Sequence, residues 1–215
     1  MNEGKILLVN LSKGLLGEAN SQFLGLILMG KINAELMKRA AMPPTSRRPF
    51  YLYVDEFQSL TTENFSILMS EARKYGLSLV LANQYLDQIR ENHILQSIFG
   101  NVGALISFRV GHEDAERLKM HFQPAFNAYD LINLPNYQAC VKFSNVKESS
   151  SQFTMNTVLQ KFNPNEAQRR AIIQSSQFHY GKSRSMVEGL IRASLNYENS
   201  HIEDSPYCQL NLEGQ

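Results

Sequence analysis

Short apolar runs set between stretches of helical periodicity constrain this chain more than any other feature. The first run, Ile6-Leu7-Leu8-Val9, is apolar throughout, as a strand buried on both faces would be. Phe50-Tyr51-Leu52-Tyr53-Val54 is the second, and residues 77–82, 104–110 and 138–143 follow. Between the first two runs, residues 21–40 carry apolar side chains around much of a helix: Phe23, Ile27, Ala34 and Met37 on one side, Leu24, Leu28 and Ile32 on another. That pattern predicts a well-buried helix. Residues 63–75 predict a helix with Phe65, Leu68, Met69 and Ala72 inward, Thr61 or Thr62 as its cap and Gly76 as its stop. Residues 112–122 predict another, with Ala115, Leu118 and Phe122 inward. Strands alternating with helices predict an α/β fold around a mostly parallel sheet. Functional side chains in such sheets gather at the carboxyl ends of strands, where Asp55, Glu56, Asn83 and Gln84 stand.

The 215 residues, 43% of them hydrophobic, suffice for one domain and an extension, here expected as residues 1–147 and 148–215. The second part opens on the polar stretch Glu148-Ser149-Ser150-Ser151-Gln152 and continues with helical patterns over residues 165–175 and 185–197. Ser185 and Glu188 have capping-box spacing, and the end from Glu198 reads as frayed. Lys and Arg number 21 and Asp and Glu 20, so no chain-wide basic field argues for nucleic acid. Cys140 and Cys208 lie far apart without CxxC or clustered histidines, which gives little support to a disulfide scaffold or a zinc site. Cys140, inside Ala139-Cys140-Val141, reads as a buried thiol. The start lacks a signal-peptide pattern, and residues 23–29, the most apolar stretch, fall short of the ~20 residues of a membrane span. A soluble cytoplasmic chain is expected, at the inner face of a membrane if a missing N-terminal anchor or a partner holds it there.

Phe50-Tyr51-Leu52-Tyr53-Val54-Asp55-Glu56 has the form of a Walker B segment. A rigid apolar strand ends beneath the nucleotide, its first acid helps hold magnesium, and the next can polarise the attacking water. A solvated strand end starting a turn explains the same residues. Two strand ends weight the choice: the next run closes on Asn83-Gln84, where an amide fits a γ-phosphate sensor, although Asn83 also suits a helix cap.

Taken in order, several runs resemble the TraG/TraD-type coupling ATPases of the HerA/FtsK superfamily. They are Asn10-Leu11-Ser12-Lys13-Gly14-Leu15-Leu16-Gly17, Tyr53-Val54-Asp55-Glu56-Phe57-Gln58, Glu71-Ala72-Arg73-Lys74-Tyr75-Gly76-Leu77 and Leu81-Ala82-Asn83-Gln84-Tyr85. Ser107-Phe108-Arg109-Val110-Gly111 with Asp114-Ala115-Glu116 completes the set, and the likeness covers nearly all of residues 1–150. Tyr180-Gly181-Lys182-Ser183-Arg184 with Val187-Glu188 is similar to an extension seen in some members. Asn83 departs from the His that many members carry, which bears on position 83 and not on Gln84.

The resemblance implies a RecA-like P-loop fold and a hexameric motor that moves DNA through a central pore with ATP and Mg²⁺. Asp55 takes the magnesium role, through water, and helps bind the nucleotide. Glu56 takes the catalytic-base role and Gln84 the sensor role at the nucleotide. Arg73 is the candidate trans-acting arginine finger and Arg109 its rival; a cation near a helix C-terminus explains Arg73 equally well. Relaxosome or secretion-channel proteins are the implied partners.

A phosphate-binding GxxxxGK[ST] after a strand is missing. Gly25 to Ile32 matches its first seven positions, but Ile32 replaces the hydroxyl and the segment reads as helix. Gly181-Lys182-Ser183 follows no apolar strand and lacks the first glycine. Lys13-Gly14-Leu15-Leu16-Gly17 has the strand–loop–helix setting of an anion site, yet a tight turn is the preferred reading. The chain therefore reads as the downstream half of a motor, inactive by itself, its phosphate-binding strand supplied from upstream. Without that strand, unpaired edges and bare apolar surface are expected. A docking module built on the same fold is the alternative; a metal-dependent nuclease at Asp55 and Glu56 lacks a further ligand at an adjoining strand end. Arg47 and Arg48 read as a solvated loop.

Overall fold

The computed structural model describes residues 1–61, 63–89, 92–144 and 152–203. The chain divides into two compact units, residues 1–158 and the segment from Leu159 onward.

The first unit is mixed α/β. Strands β1 (Phe50–Val54) and β2 (Leu77–Leu81) pair in parallel, from Phe50 opposite Leu77 to Val54 opposite Leu81. The ladder runs one step past the assigned strands, the Ala82 N–H donating to Val54 O at 3.0 Å. Helix α3 (Glu63–Glu71) and a 3₁₀ turn over Ala72–Tyr75 form the crossover. Phe65, Leu68, Met69 and Ala72 are all buried, as their helical spacing predicts. Gly76 stops the turn in the left-handed region, φ 72, which a β-carbon would disfavour. Thr62 lies outside the described residues, and the Thr61 hydroxyl donates to Gln58 O at 2.9 Å.

Arg39 supports that corner. It is fully buried, and its Nη1 donates to Tyr75 O at 2.9 Å while its Nε donates to Asn2 Oδ1 at 3.1 Å. The guanidinium satisfies a carbonyl that the end of a helical turn leaves without an intrahelical partner. Arg47 works beside it, donating to Lys74 O at 2.5 Å and to Met42 O, with its guanidinium over the Tyr75 ring. Arg47 is thus an architectural side chain and not a solvated one.

Helices α1 (Lys13–Leu16) and α2 (Glu18–Lys38) precede β1. Only Ser21, Gly25, Ile32 and Leu36 of α2 are buried, and Phe23, Leu24 and Ile27 are exposed, so the expected all-round burial of this helix is corrected to one stripe. Gly25 sits where the helix meets Leu60: a β-carbon there would come within 2.4 Å of Leu60 Cδ2.

Helix α4 (Asn92–Asn101) leads to β3 (Ala104–Ser107), α5 (His112–Phe122), α6 (Ala128–Ile132), β4 (Gln138–Phe143) and β5 (Gln152–Asn156). These strands form a second sheet in the order β3-β4-β5, antiparallel throughout. The α/β class holds, with one small parallel sheet; the run over residues 104–110, expected beside it, ends at Ser107 in this second sheet. Apolar periodicity does not encode strand direction, which explains the difference. Residues 152–156, expected in a polar linker, alternate Phe153 and Met155 with polar side chains and pair with β4. Ala139, Cys140 and Val141 are buried in this central strand, and burial pushes the Cys140 thiol pKa up, with Asp130 adding to the effect.

Ile6 to Val9 forms no strand. All four side chains are exposed, Ile6 at 87%, because no described strand lies beside them to pair with their backbone.

In the second unit, α7 (Glu166–Tyr180) and α8 (Arg184–Glu203) are joined at residues 181–183. Ser183, not Ser185, caps α8, its Oγ accepting from the Met186 N–H at 3.3 Å. The helix continues to Glu203, past the expected frayed end. No described helix is long and apolar enough to cross a membrane, and no cluster of three potential metal ligands occurs among the described residues.

Candidate functional site

Parallel pairing brings the carboxyl ends of β1 and β2 together. Asp55 and Glu56 follow Val54, and Asn83 and Gln84 follow the last pair of the neighbouring strand. Asp55, Glu56 and Gln84 are exposed, and Gln84 makes no hydrogen bond among the described residues.

The chain turns sharply after β1. Glu56 has φ 50 and ψ 44, a left-handed conformation rare for a residue with a β-carbon. Its N–H donates to Asp55 Oδ1 at 3.0 Å, and its carbonyl accepts from Ser59 Oγ at 2.8 Å. The Phe57 N–H donates to Ala82 O at 3.2 Å, and buried Phe57 and Leu60 anchor the 3₁₀ turn Phe57–Leu60 beneath. The two acids are thereby lifted onto a short corner whose base is fixed by β2.

Side chains tie the second tip in turn. Gln58 Nε2 donates to Gln88 Oε1 at 2.8 Å, linking the loops that follow β1 and β2. The Asn83 amide donates to Tyr85 O at 3.1 Å, which gives it a local turn role. Buried Asp114 accepts the Leu86 N–H at 3.2 Å, and Arg117 pairs with Asp87 at 3.1 Å, joining this loop to α5. An open recess of about 340 Å³ lies there, lined by Tyr85, Asp87, Gly111, His112, Glu113 and Asp114. Gln58, Gln88 and Asp114 hold the site together; Gln58 and Asp114 lie in the resembling runs but without a role read from them, and Gln88 lies outside those runs. Asp114 in the first turn of a helix reads as a dipole partner, and amides carry no periodicity.

The arginines sit elsewhere. Arg73 is exposed in the 3₁₀ turn before β2, at the opposite end of the parallel pair from Asp55. A five-residue strand separates the two ends by about 16 Å. Arg109 is exposed beyond β3, in the other sheet. Arg73 is thus not brought to the acids by the fold of one chain.

The phosphate-loop lookalikes are accounted for by their backbone. Gly25 to Ile32 lies wholly within α2. Gly181 donates to Gln177 O at 2.9 Å at the end of α7. In the Lys13–Gly17 segment the N–H groups of Leu15, Leu16 and Gly17 are taken up by the carbonyls of Ser12 and Lys13, so it is a helical turn and not an anion cradle. For a nucleotide with magnesium, the chain offers the exposed Asp55 and Glu56 carboxylates and the Gln84 amide; a glycine-rich cradle for the phosphates is absent among the described residues.

Residues 49–120 match the family described as the TraM recognition site of TraD and TraG. No curated protein matches the chain. Among solved structures, the chain is similar to the plasmid coupling protein TrwB in complex with a non-hydrolysable ATP analogue, with a TM-score of 0.50, 16% identity, and 66% of this chain and 39% of that one covered. It is also similar to the unbound bacterial conjugative coupling protein TrwB lacking its N-terminal segment, at 0.48, 16%, 61% and 36%. The genome packaging NTPase B204 of Sulfolobus turreted icosahedral virus 2, in complex with AMPPCP, gives 0.47, 15%, 63% and 63%. The chain spans less than two thirds of each of these structures. The family match thus covers residues 49–120, and the likeness to TrwB at 16% identity shows a shared fold.

Proposed function

We propose that this TraG/TraD-type chain is the C-terminal part of a DNA-translocating motor ATPase that serves conjugative transfer. The observation that carries the reading is the parallel pairing of β1 with β2, which sets Asp55 and Glu56 beside Gln84 at one end of the sheet. Asp55, with one oxygen engaged by the Glu56 N–H, keeps the other for water around a magnesium ion. Magnesium and ATP, when bound, supply charge neutralisation and the phosphoryl group. Glu56 holds and polarises the attacking water, and Gln84 donates or accepts at the γ-phosphate position. The left-handed turn at Glu56 leaves its carboxylate exposed, free to reach a nucleotide held with the help of an upstream segment. Arg73, at the far end of the parallel pair from the acids of its own chain, serves a neighbour's nucleotide in a ring, with Arg109 the rival for that role. DNA lies within the assembled ring.

Bare apolar surface supports an upstream completing segment. Parallel sheets are normally covered on both faces, yet Tyr51, Tyr53 and Val80 are exposed on one face of the pair, Tyr53 at 72%. Ile6 to Val9 awaits a neighbouring strand. The reading is tested by ATP hydrolysis after combining the chain with an upstream polypeptide that carries a strand and GxxxxGK[ST]. The pair hydrolyses ATP and the chain alone does not; Glu56→Gln lowers kcat by ~10²-fold or more. Equal rates for Glu56→Gln and wild type remove Glu56 from the mechanism.

One observation favours a second reading. The matched family is described by its recognition of TraM, and the matched residues 49–120 include the acidic recess at Asp87, Glu113 and Asp114. In that reading the chain docks a relaxosome protein and binds no nucleotide even when completed. Nucleotide binding by the reconstituted pair separates the two.

A further inference from the structure

Positive charge collects without counter-charge at the end of the parallel pair away from Asp55 and Glu56. Arg39, Arg47 and Arg48 come together there, where the chain enters β1 and β2. Arg39 and Arg47 are held by neutral acceptors: the carbonyls of Tyr75 and Gly76 and the Asn2 amide for Arg39, the carbonyls of Met42 and Lys74 for Arg47. Carbonyls satisfy N–H groups but leave the charge in place. Arg39 is fully buried, and its Nη2 has no hydrogen-bond partner. Burial, with Arg47 beside it, pulls the Arg39 pKa down.

The acids nearest to these arginines in sequence already have partners. Glu3 pairs with Lys5 at 2.7 Å, Glu35 with Lys38 at 2.5 Å and Glu71 with Lys74 at 2.7 Å. None of the three arginines makes an ion pair among the described residues.

Arg48 is the exposed member, and it makes no hydrogen bond among the described residues. Its guanidinium lies against the backbone of Gly4, where a β-carbon would come within 2.4 Å of Nη1. Asn2, two residues earlier, carries the Arg39 contact, so one short segment spans both arginines. The loop that presents Arg48 is stiff. Pro43, Pro44 and Pro49 bracket it, and in the 3₁₀ turn Pro44–Ser46 the Ser46 N–H donates to Pro43 O at 3.0 Å. A stiff loop loses little freedom when its side chain engages a ligand. Guanidinium forks match phosphate oxygens. Residues 42–49 expose no large apolar side chain of the kind that enters a bilayer.

We propose that this corner binds the phosphate backbone of nucleic acid, with Arg48 making the contact and Arg39 and Arg47 supplying charge behind it. The choice of DNA rests on the motor reading; the site is a separate one, at the far end of the parallel pair from the acids. A phosphate contact positions the strand and reads no bases.

Fluorescence anisotropy of labelled single- and double-stranded DNA of unrelated sequences, titrated with the full chain over a range of salt, tests this. Wild type binds every sequence, less tightly as salt rises. Arg48→Ala weakens binding about fivefold at about 0.1 M salt, alike for each sequence, and makes the slope of log K against log salt shallower by about 1. Arg192→Ala, which removes a charge from the second unit, changes neither affinity nor slope. Helix content by circular dichroism is the same in all three proteins. The measurement uses no ATP, so a completed motor that fails to hydrolyse leaves this site standing. Binding that Arg48→Ala leaves unchanged, or that Arg192→Ala weakens as much, overturns the site while DNA handling stands. No binding at low salt overturns the site and the DNA contact together, and leaves the nucleotide test untouched. Tighter binding to vesicles of anionic phospholipid, lost in Arg48→Ala, assigns the corner to a membrane and overturns it as well.

Discussion

Glu56 joins a strained backbone to the proposed catalytic-base role in one residue. A left-handed backbone costs a residue with a β-carbon roughly 1–2 kcal/mol, and such conformations persist where the surroundings fix them. Here the fixing groups are the Phe57 N–H bonded to Ala82 O and the Ser59 hydroxyl on Glu56 O. Glu56→Gly is therefore expected to stabilise the fold by up to about 1 kcal/mol after glycine's entropy is subtracted, read as a higher urea midpoint, while it removes hydrolysis in the completed motor. A lower midpoint shows the turn to be unstrained. His121 gives a pH-dependent prediction at the same scale. Its ring stacks on Phe99 at 4.0 Å; burial, with Lys142 nearby, holds its pKa below the ordinary 6.5. The unfolded chain then takes up a proton at a pH where the folded one does not. Stability from this group is present above 6.5 and falls as pH drops from there toward the folded value. Urea midpoints compared between about pH 8 and about pH 5 should fall further for wild type than for His121→Phe, which keeps the stack. Equal falls assign the pH dependence to other groups.

At the scale of elements, what could be read in sequence follows the reach of each physical rule. Helix α5 and the inner stripe of α3 were legible because a 3.6-residue period in Phe65, Leu68, Met69 and Ala72, or in Ala115, Leu118 and Phe122, admits one buried face. The strand tips at Asp55 and Gln84 were legible because an apolar run ends on a polar pair. Which strands pair, and in which direction, was not, because β3 and β4 share the apolar character of β1 and β2 while pairing antiparallel. Arg39 was illegible for a different reason: its partners are backbone carbonyls, and a carbonyl leaves no mark in composition. Gln58 and Gln88 are similar, since an amide pair across loops 30 residues apart has no local pattern. The Ile6 to Val9 run has strand character without a neighbour. If an upstream segment pairs with it, amide exchange of residues 6–9 slows strongly in the completed protein compared with the chain alone. Exchange that stays fast in both leaves this run outside the completed sheet.

For the whole molecule, the two-stranded parallel sheet and the bare tyrosines beside it are what the proposed motor reading takes as one half of a nucleotide site. The account depends on Glu56 and Gln84 serving one nucleotide from adjacent strand tips. A double-mutant cycle on hydrolysis by the reconstituted motor, with Glu56→Gln, Gln84→Ala and the pair, tests this most directly. Groups that act on the same γ-phosphate and water lose activity together, so the double variant should be scarcely slower than the worse single variant, with a coupling of more than about 1 kcal/mol. Losses that add to within about 0.5 kcal/mol would mean that the two tips work independently, and the shared site would be wrong.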